Sequence, residues 1–135
     1  MPRRCARQSL SSHVPDRDAA HERLRHMAEA VDAIAAYARR GRAAFDDDPA
    51  VQDAILYQIV VLGEAAKAAL AADPDLVALI PEVDWSPIAR MRDRVAHHYW
   101  ATDREVVWAT ATIAVPQVRL ALAAALDRPP QGSEA

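Results

Sequence analysis

The chain has 135 residues, 52% of them hydrophobic but only 5% aromatic, and a formal net charge of −3. That length supports one core rather than two ordinary domains, and the acidic balance excludes a globally basic nucleic-acid surface, so an anionic partner would have to be held by a local cluster. A single cysteine, Cys5, excludes an internal disulfide and a cysteine-built zinc site. Much of the apolar content is alanine. The core of a lone subunit is therefore modest, and helices with wide apolar stripes favour burial of a second face against another copy, so a homodimer is expected.

Residues 1–17 carry Arg3, Arg4, Arg7 and Arg17 without apolar periodicity and read as a basic tail; residues 128–135 read as a second tail. Residues 18–127 form one domain in this reading. Leu24, Met27, Val31, Ile34 and Ala38 recur at steps of three and four, which predicts a first helix over about 18–40, stopping at Gly41. Asp48-Pro49 is a cap and first-turn pair opening a second helix as far as Ala72. Asp73-Pro74 repeats the signal for a short helix through Leu76 and Leu79 that ends at Pro81. Asp84 caps a fourth helix running through Ile88, Met91 and Val95 to Tyr99. Thr102 and Glu105 have the spacing of a capping box for a last helix through Leu126, which Pro116 should kink. Asp48 being a cap, Asp46 and Asp47 are expected to solvate a loop. No segment alternates with period two, so the expected class is all-α, an up-and-down bundle of four long helices plus one short helix. No stretch approaches eighteen uninterrupted apolar residues and no signal peptide is visible, so no membrane partner and a cytoplasmic location are expected.

The densest polar chemistry lies in Arg90-Met91-Arg92-Asp93-Arg94-Val95-Ala96-His97-His98-Tyr99. At about 100° per residue, Arg90, Arg94 and His97 or His98 share a stripe, while Arg92 and His97 stand about 140° apart. A cleft between two symmetry-related copies of this helix would bring them to one small group. An imidazole can move a proton from a ribose 2′-hydroxyl or to a leaving oxygen, and an arginine can stabilise charge on a phosphoryl group, so this pair suits phosphodiester cleavage without a metal or cofactor. The plainer alternative is a solvated face whose cations pair with nearby carboxylates. Asp93 either orients His97 through an i to i+4 hydrogen bond or makes a helix salt bridge. His98 is either a surface residue or a dimer contact.

Arg92, four residues, His97, one residue, Tyr99 is similar to the Arg-X4-His-X-Tyr motif of the HepT-like toxins, a branch of the HEPN superfamily of helical ribonucleases. Gly63-Glu64-Ala65, Pro81, the Asp84-Trp85 run and the Val107-Trp108 to Pro116 pattern extend the resemblance over about residues 20–126. It implies a homodimeric toxin that cuts RNA without a metal, with Arg92 and His97 as the catalytic pair and Asp93, Glu64, Arg90, Arg94 and His98 as supporting or substrate-positioning residues. It also implies a minimal nucleotidyltransferase antitoxin as partner, which silences the toxin by adenylylating the motif tyrosine, here Tyr99. The family commonly has asparagine after the motif arginine, where this chain has Asp93. Glu64 either positions Arg92 or a substrate hydroxyl, or is a structural partner for an arginine. Two other functions fit the same residues: a non-catalytic RNA- or nucleotide-binding module, and a protein that serves mainly as substrate and partner of a nucleotidyltransferase.

Overall fold

The computed structural model describes residues 14–98, 101 and 103–127. The two expected tails fall almost wholly outside these residues, as do Tyr99, Trp100 and Thr102. Among the described residues the regular structure is entirely helical.

Helix α1, Arg17–Ala38, begins where the Asp16 side chain accepts from the Ala19 N–H at 3.0 Å, which satisfies one of the helix's orphan donors. The Asp16 N–H in turn donates to the Ala72 carbonyl at 2.8 Å. Ala20, Leu24, Met27, Ala30, Val31 and Ile34 form the buried stripe that the spacing predicts. The helix ends before Gly41, whose φ of +94° is the left-handed region where a side chain would be strained.

Gly41 starts an element the periodicity does not reveal, α2 (Arg42–Asp47). Six residues with one large apolar side chain carry no stripe to detect. Phe45 is 1% exposed, its ring 5.2 Å from that of Trp108. Asp46 does not solvate a loop: both its oxygens accept from Arg42 Nε, at 2.9 and 3.0 Å, and Arg42 also reaches Glu105.

Helix α3, Pro49–Ala72, opens as expected, with the Asp48 side chain accepting from the Ala50 N–H at 2.9 Å. It is the central element, packed by both α1 and the motif helix. Its length and apolarity match those of a membrane span, as do those of Arg104–Leu126. In this fold Val51, Ile55, Ile59, Leu62, Ala66 and Ala69 of α3 are spent on the bundle core. Asp73 ends α3 and is buried, its side chain accepting from the Asp75 N–H, so the short α4 (Leu76–Leu79) starts two residues later than Asp73-Pro74 suggested. Among the described residues the bundle thus has a second short interposed helix, α2, beside the expected α4.

Helix α5, Trp85–His97, carries the motif. Asp84 occupies the capping position but makes no side-chain cap bond. The entry is held instead by Trp85, whose Nε1 donates to the Ile80 carbonyl at 3.1 Å from a buried site. The helix stops at His97, two residues short of Tyr99, with the His98 N–H closing it on the Arg94 carbonyl.

Helix α6 (Arg104–Ala109) is capped by Asp103, whose side chain accepts from the Glu105 N–H at 2.9 Å; the expected Thr102 cap lies outside the described residues. A π-helical turn, Thr110–Ala114, joins it to α7 (Val115–Leu126), which packs against α1. Pro116 has no N–H and its ring crowds the carbonyl four residues back. The ladder meets this by widening to an i to i−5 bond, Val115 N–H to the Thr110 carbonyl, just before the proline.

Removing the Phe45 ring empties space between α2 and the last helices that the short α2 cannot collapse to fill. Phe45→Ala should cost about 3–5 kcal/mol, read as a lowered urea midpoint.

Candidate active site

The site is assembled where α5 crosses α3. At Gly63 there is no room for a side chain: an added Cβ would lie deep inside the Cβ and Cγ of Arg92. The glycine therefore lets the backbone of α3 touch the root of the motif arginine. Glu64 and Lys67 lie one and four positions further along α3, on the turn that faces α5.

Arg92 is held from two sides. Its Nη2 donates to Glu64 Oε1, and its Nη1 to Asp93 Oδ1 at 3.0 Å. Its Nε is buried and has no partner among the described residues. The side chain is 25% exposed, so part of it reaches solvent, while its root is packed against Gly63. Asp93 Oδ1 accepts a second bond, from Lys67 Nζ at 2.8 Å. Lys67 first, then Arg92, hold the Asp93 carboxyl below its ordinary value of 3.8. Asp93, then Glu64, raise the pKa of Arg92 in return. A lowered carboxyl pKa means that the clamp's contribution is fully present above the ordinary carboxyl value and is lost as pH falls through the lowered one.

Asp93 also meets His97, but not through its carboxylate. The contact is from His97 Nδ1 to the Asp93 backbone carbonyl, at 2.8 Å. A carbonyl oxygen only accepts, so Nδ1 carries the hydrogen, and in the neutral ring Nε2 keeps the free lone pair. The i to i+4 hydrogen bond of the sequence reading is present but runs through the backbone, and the carboxylate is committed to Lys67 and Arg92. One residue thus bridges the motif pair, holding Arg92 with its side chain and the His97 imidazole with its backbone.

The remaining sequence candidates lie elsewhere on α5. Arg90 and Arg94 are exposed and line a cleft of about 270 Å³ against the π turn, with Ile88, Met91, Thr110 and Val118. His97 and His98 are exposed at the helix end. Glu64 proves to be a partner of Arg92, as one of its two readings had it. Lys67 escaped the sequence reading; its one usable signal was its place one turn after Glu64 on the same face. Tyr99 lies outside the described residues. Among those residues, no three His, Cys, Asp or Glu side chains are grouped as metal ligands would be.

Residues 27–125 match the family described as ribonuclease HepT-like. The chain belongs to the HepT-like family. The match takes in α3, α5 and every residue of the clamp. Over 99 residues this HepT-like chain is 32% identical to a protein of Thermococcus cleftensis named probable ribonuclease HepT, covering 71% of this chain and 86% of that one. It is 33% identical over 72 residues to a protein of Methanocaldococcus jannaschii named as a candidate RNase, 53% of this chain and 57% of that one. A second such protein of the same organism is 29% identical over 75 residues, 56% of this chain and 62% of that one. No solved structure matches the HepT-like chain.

Gly63→Ala tests the crossing. The new methyl has only Arg92 and backbone to push against, so α5 must move away from α3. Stability should fall by about 1–3 kcal/mol in a thermal or urea melt, and a methyl absorbed without loss would mean that the two helices do not meet this closely.

Proposed function

We propose that this HepT-like protein is a metal-independent endoribonuclease, the toxin of a toxin–antitoxin pair, acting as a homodimer through Arg92 and His97. The observation that carries the reading is the arrangement around Asp93. A guanidinium edge and an imidazole with Nε2 free are fixed to one residue, in a chain whose family and relatives are named for ribonuclease activity.

The chemistry needs no further group. Neutral His97 takes the proton of a ribose 2′-hydroxyl on Nε2, and the 2′-oxygen attacks the adjacent phosphorus. The bond from phosphorus to the 5′-oxygen breaks, leaving a 2′,3′-cyclic phosphate, and an imidazolium returns a proton to the leaving oxygen. Arg92 stabilises the extra charge on the phosphoryl oxygens. A dimer supplies two copies of each group, so one imidazole can act as base and the other as acid. Large apolar side chains left at the surface, Ile113 at 64% and Leu120 at 75% exposed, support association with a second copy.

Tyr99 follows His97 by two residues. Its place in the Arg-X4-His-X-Tyr pattern, two positions from His97 in the chain, is the basis for proposing that a minimal nucleotidyltransferase antitoxin silences the toxin by adenylylating its hydroxyl. Intact mass after co-expression with such an enzyme should rise by whole adenylate units, and Tyr99→Phe should abolish the rise.

The purified dimer should cut RNA in the presence of EDTA. Arg92→Ala and His97→Ala should each lower the rate by about 10²–10⁴ and relieve growth arrest, His97→Ala with the melting temperature nearly unchanged and Arg92→Ala with a lowered one, because its packed stem is lost. Full activity in both variants would falsify the nuclease reading. Salt-sensitive RNA binding by the wild type without cleavage products would favour a non-catalytic RNA-binding module instead.

A further inference from the structure

The clamp poses an electrostatic problem for any ribonuclease built on it. Arg92 is placed to receive a phosphate, yet it faces two carboxylates, Glu64 and Asp93. Left alone, that trio carries a net negative charge, and a phosphodiester would be repelled by the group meant to attract it. Lys67 changes the balance. Its ammonium meets the same Asp93 oxygen that Arg92 uses, 2.8 Å away, so the four side chains sum to zero and the Asp93 charge is shared between two cations.

The placement follows from the α3 backbone. Gly63 brings α5 against α3 at Arg92, Glu64 takes the guanidinium beside it, and Lys67, one turn later, arrives at Asp93. Three residues of α3 thus serve two adjacent side chains of α5, Arg92 and Asp93. Lys67 and Asp93 are about half-exposed, at 43% and 49%, which marks the pair as weak for stability. Solvent screening at that exposure weakens the charge compensation without removing it, because the groups are in direct hydrogen-bonded contact.

We infer that Lys67 is a positioning residue for the phosphate site: by neutralising Asp93 it leaves the Arg92 guanidinium positive toward RNA and fixed in direction. This rests on the ribonuclease reading for the identity of the ligand, and it adds a residue that neither the motif nor the sequence reading contained.

The test uses the purified full chain and two probes. One is a fluorescent RNA oligonucleotide that can be cleaved, and the other is the same sequence with 2′-O-methyl riboses, which can be bound but not cut. Lys67→Met should raise KM and weaken binding of the methylated probe by about tenfold, with kcat and the melting temperature little changed. Lys67→Arg should retain affinity, since it keeps the charge. The deciding variant is Lys67→Met combined with Asp93→Asn. Removing the carboxylate charge removes the need for the lysine, so affinity should return to within about threefold of wild type, as coupled neighbours require.

Unchanged affinity in Lys67→Met would overturn the inference. So would a double variant as weak as Lys67→Met, because Lys67 would then be touching phosphate itself. A wild-type protein that binds the methylated probe in this Lys67-dependent way but never cuts the cleavable one would sink the nuclease reading and leave the role of Lys67 standing. A wild-type protein that binds neither probe would overturn the role of Lys67 as well.

Discussion

The crossing of α3 and α5 at Gly63 is the contact on which the rest of the site depends. α5 has only two fully buried residues, Trp85 and Val95, and α3 is its principal neighbour. A helix with so little core of its own takes its position from whatever it touches, and what it touches is a backbone stripped of its side chain. Because the approach is made at the Cβ and Cγ of Arg92, the stem of the motif arginine is the packing element, and its guanidinium is the part left for polar contacts. Packing and function are carried by different ends of one residue.

That economy leaves an electrostatic residue. A guanidinium at a helix crossing needs acceptors, and Glu64 and Asp93 supply them, yet the Nε stays buried without a partner among the described residues. The arginine is therefore held but not saturated. A carboxylate that grips it also competes with a phosphate, and the lysine on the next turn of α3 moderates that competition. The same Asp93 sets the imidazole through its backbone carbonyl, which costs the helix nothing: near the helix end, the His97 ring reaches back one turn to a carbonyl of its own helix.

Much of the fold could be read from spacing and caps. The stripe from Ala20 to Ile34, the Asp48-Pro49 start of α3 and the motif helix beginning at Trp85 follow from apolar periodicity and from the need to satisfy the first N–H groups of a helix. The misreadings share a cause. Asp84 has the residue type and spacing of a side-chain cap but makes no such bond, and Asp73 bonds the Asp75 N–H while the helix begins only at Leu76, because whether a side chain caps a given turn depends on the backbone entering the helix. Trp85 and Asp103 show the solutions the chain adopts. α2 was missed because its one informative residue, Phe45, is recognisable only by the Trp108 ring more than sixty positions away. Spacing alone does not show the wider turn that the chain places just before Pro116.

The sequence by itself determined the class of fold and the helix that bears the chemistry, because amphipathic spacing and the Arg-X4-His-X-Tyr pattern are local properties of one segment. It also named Arg92, His97, Asp93 and Glu64. Only the tertiary structure decided how they are joined: that the Asp93 carboxylate belongs to Lys67 and Arg92 while its carbonyl belongs to His97, and that Gly63 is the reason two helices can come close enough for the clamp to close. Those are relations between residues distant in the chain. They arise when surfaces of particular shape and charge are pressed together, and no pattern within a single helix encodes them.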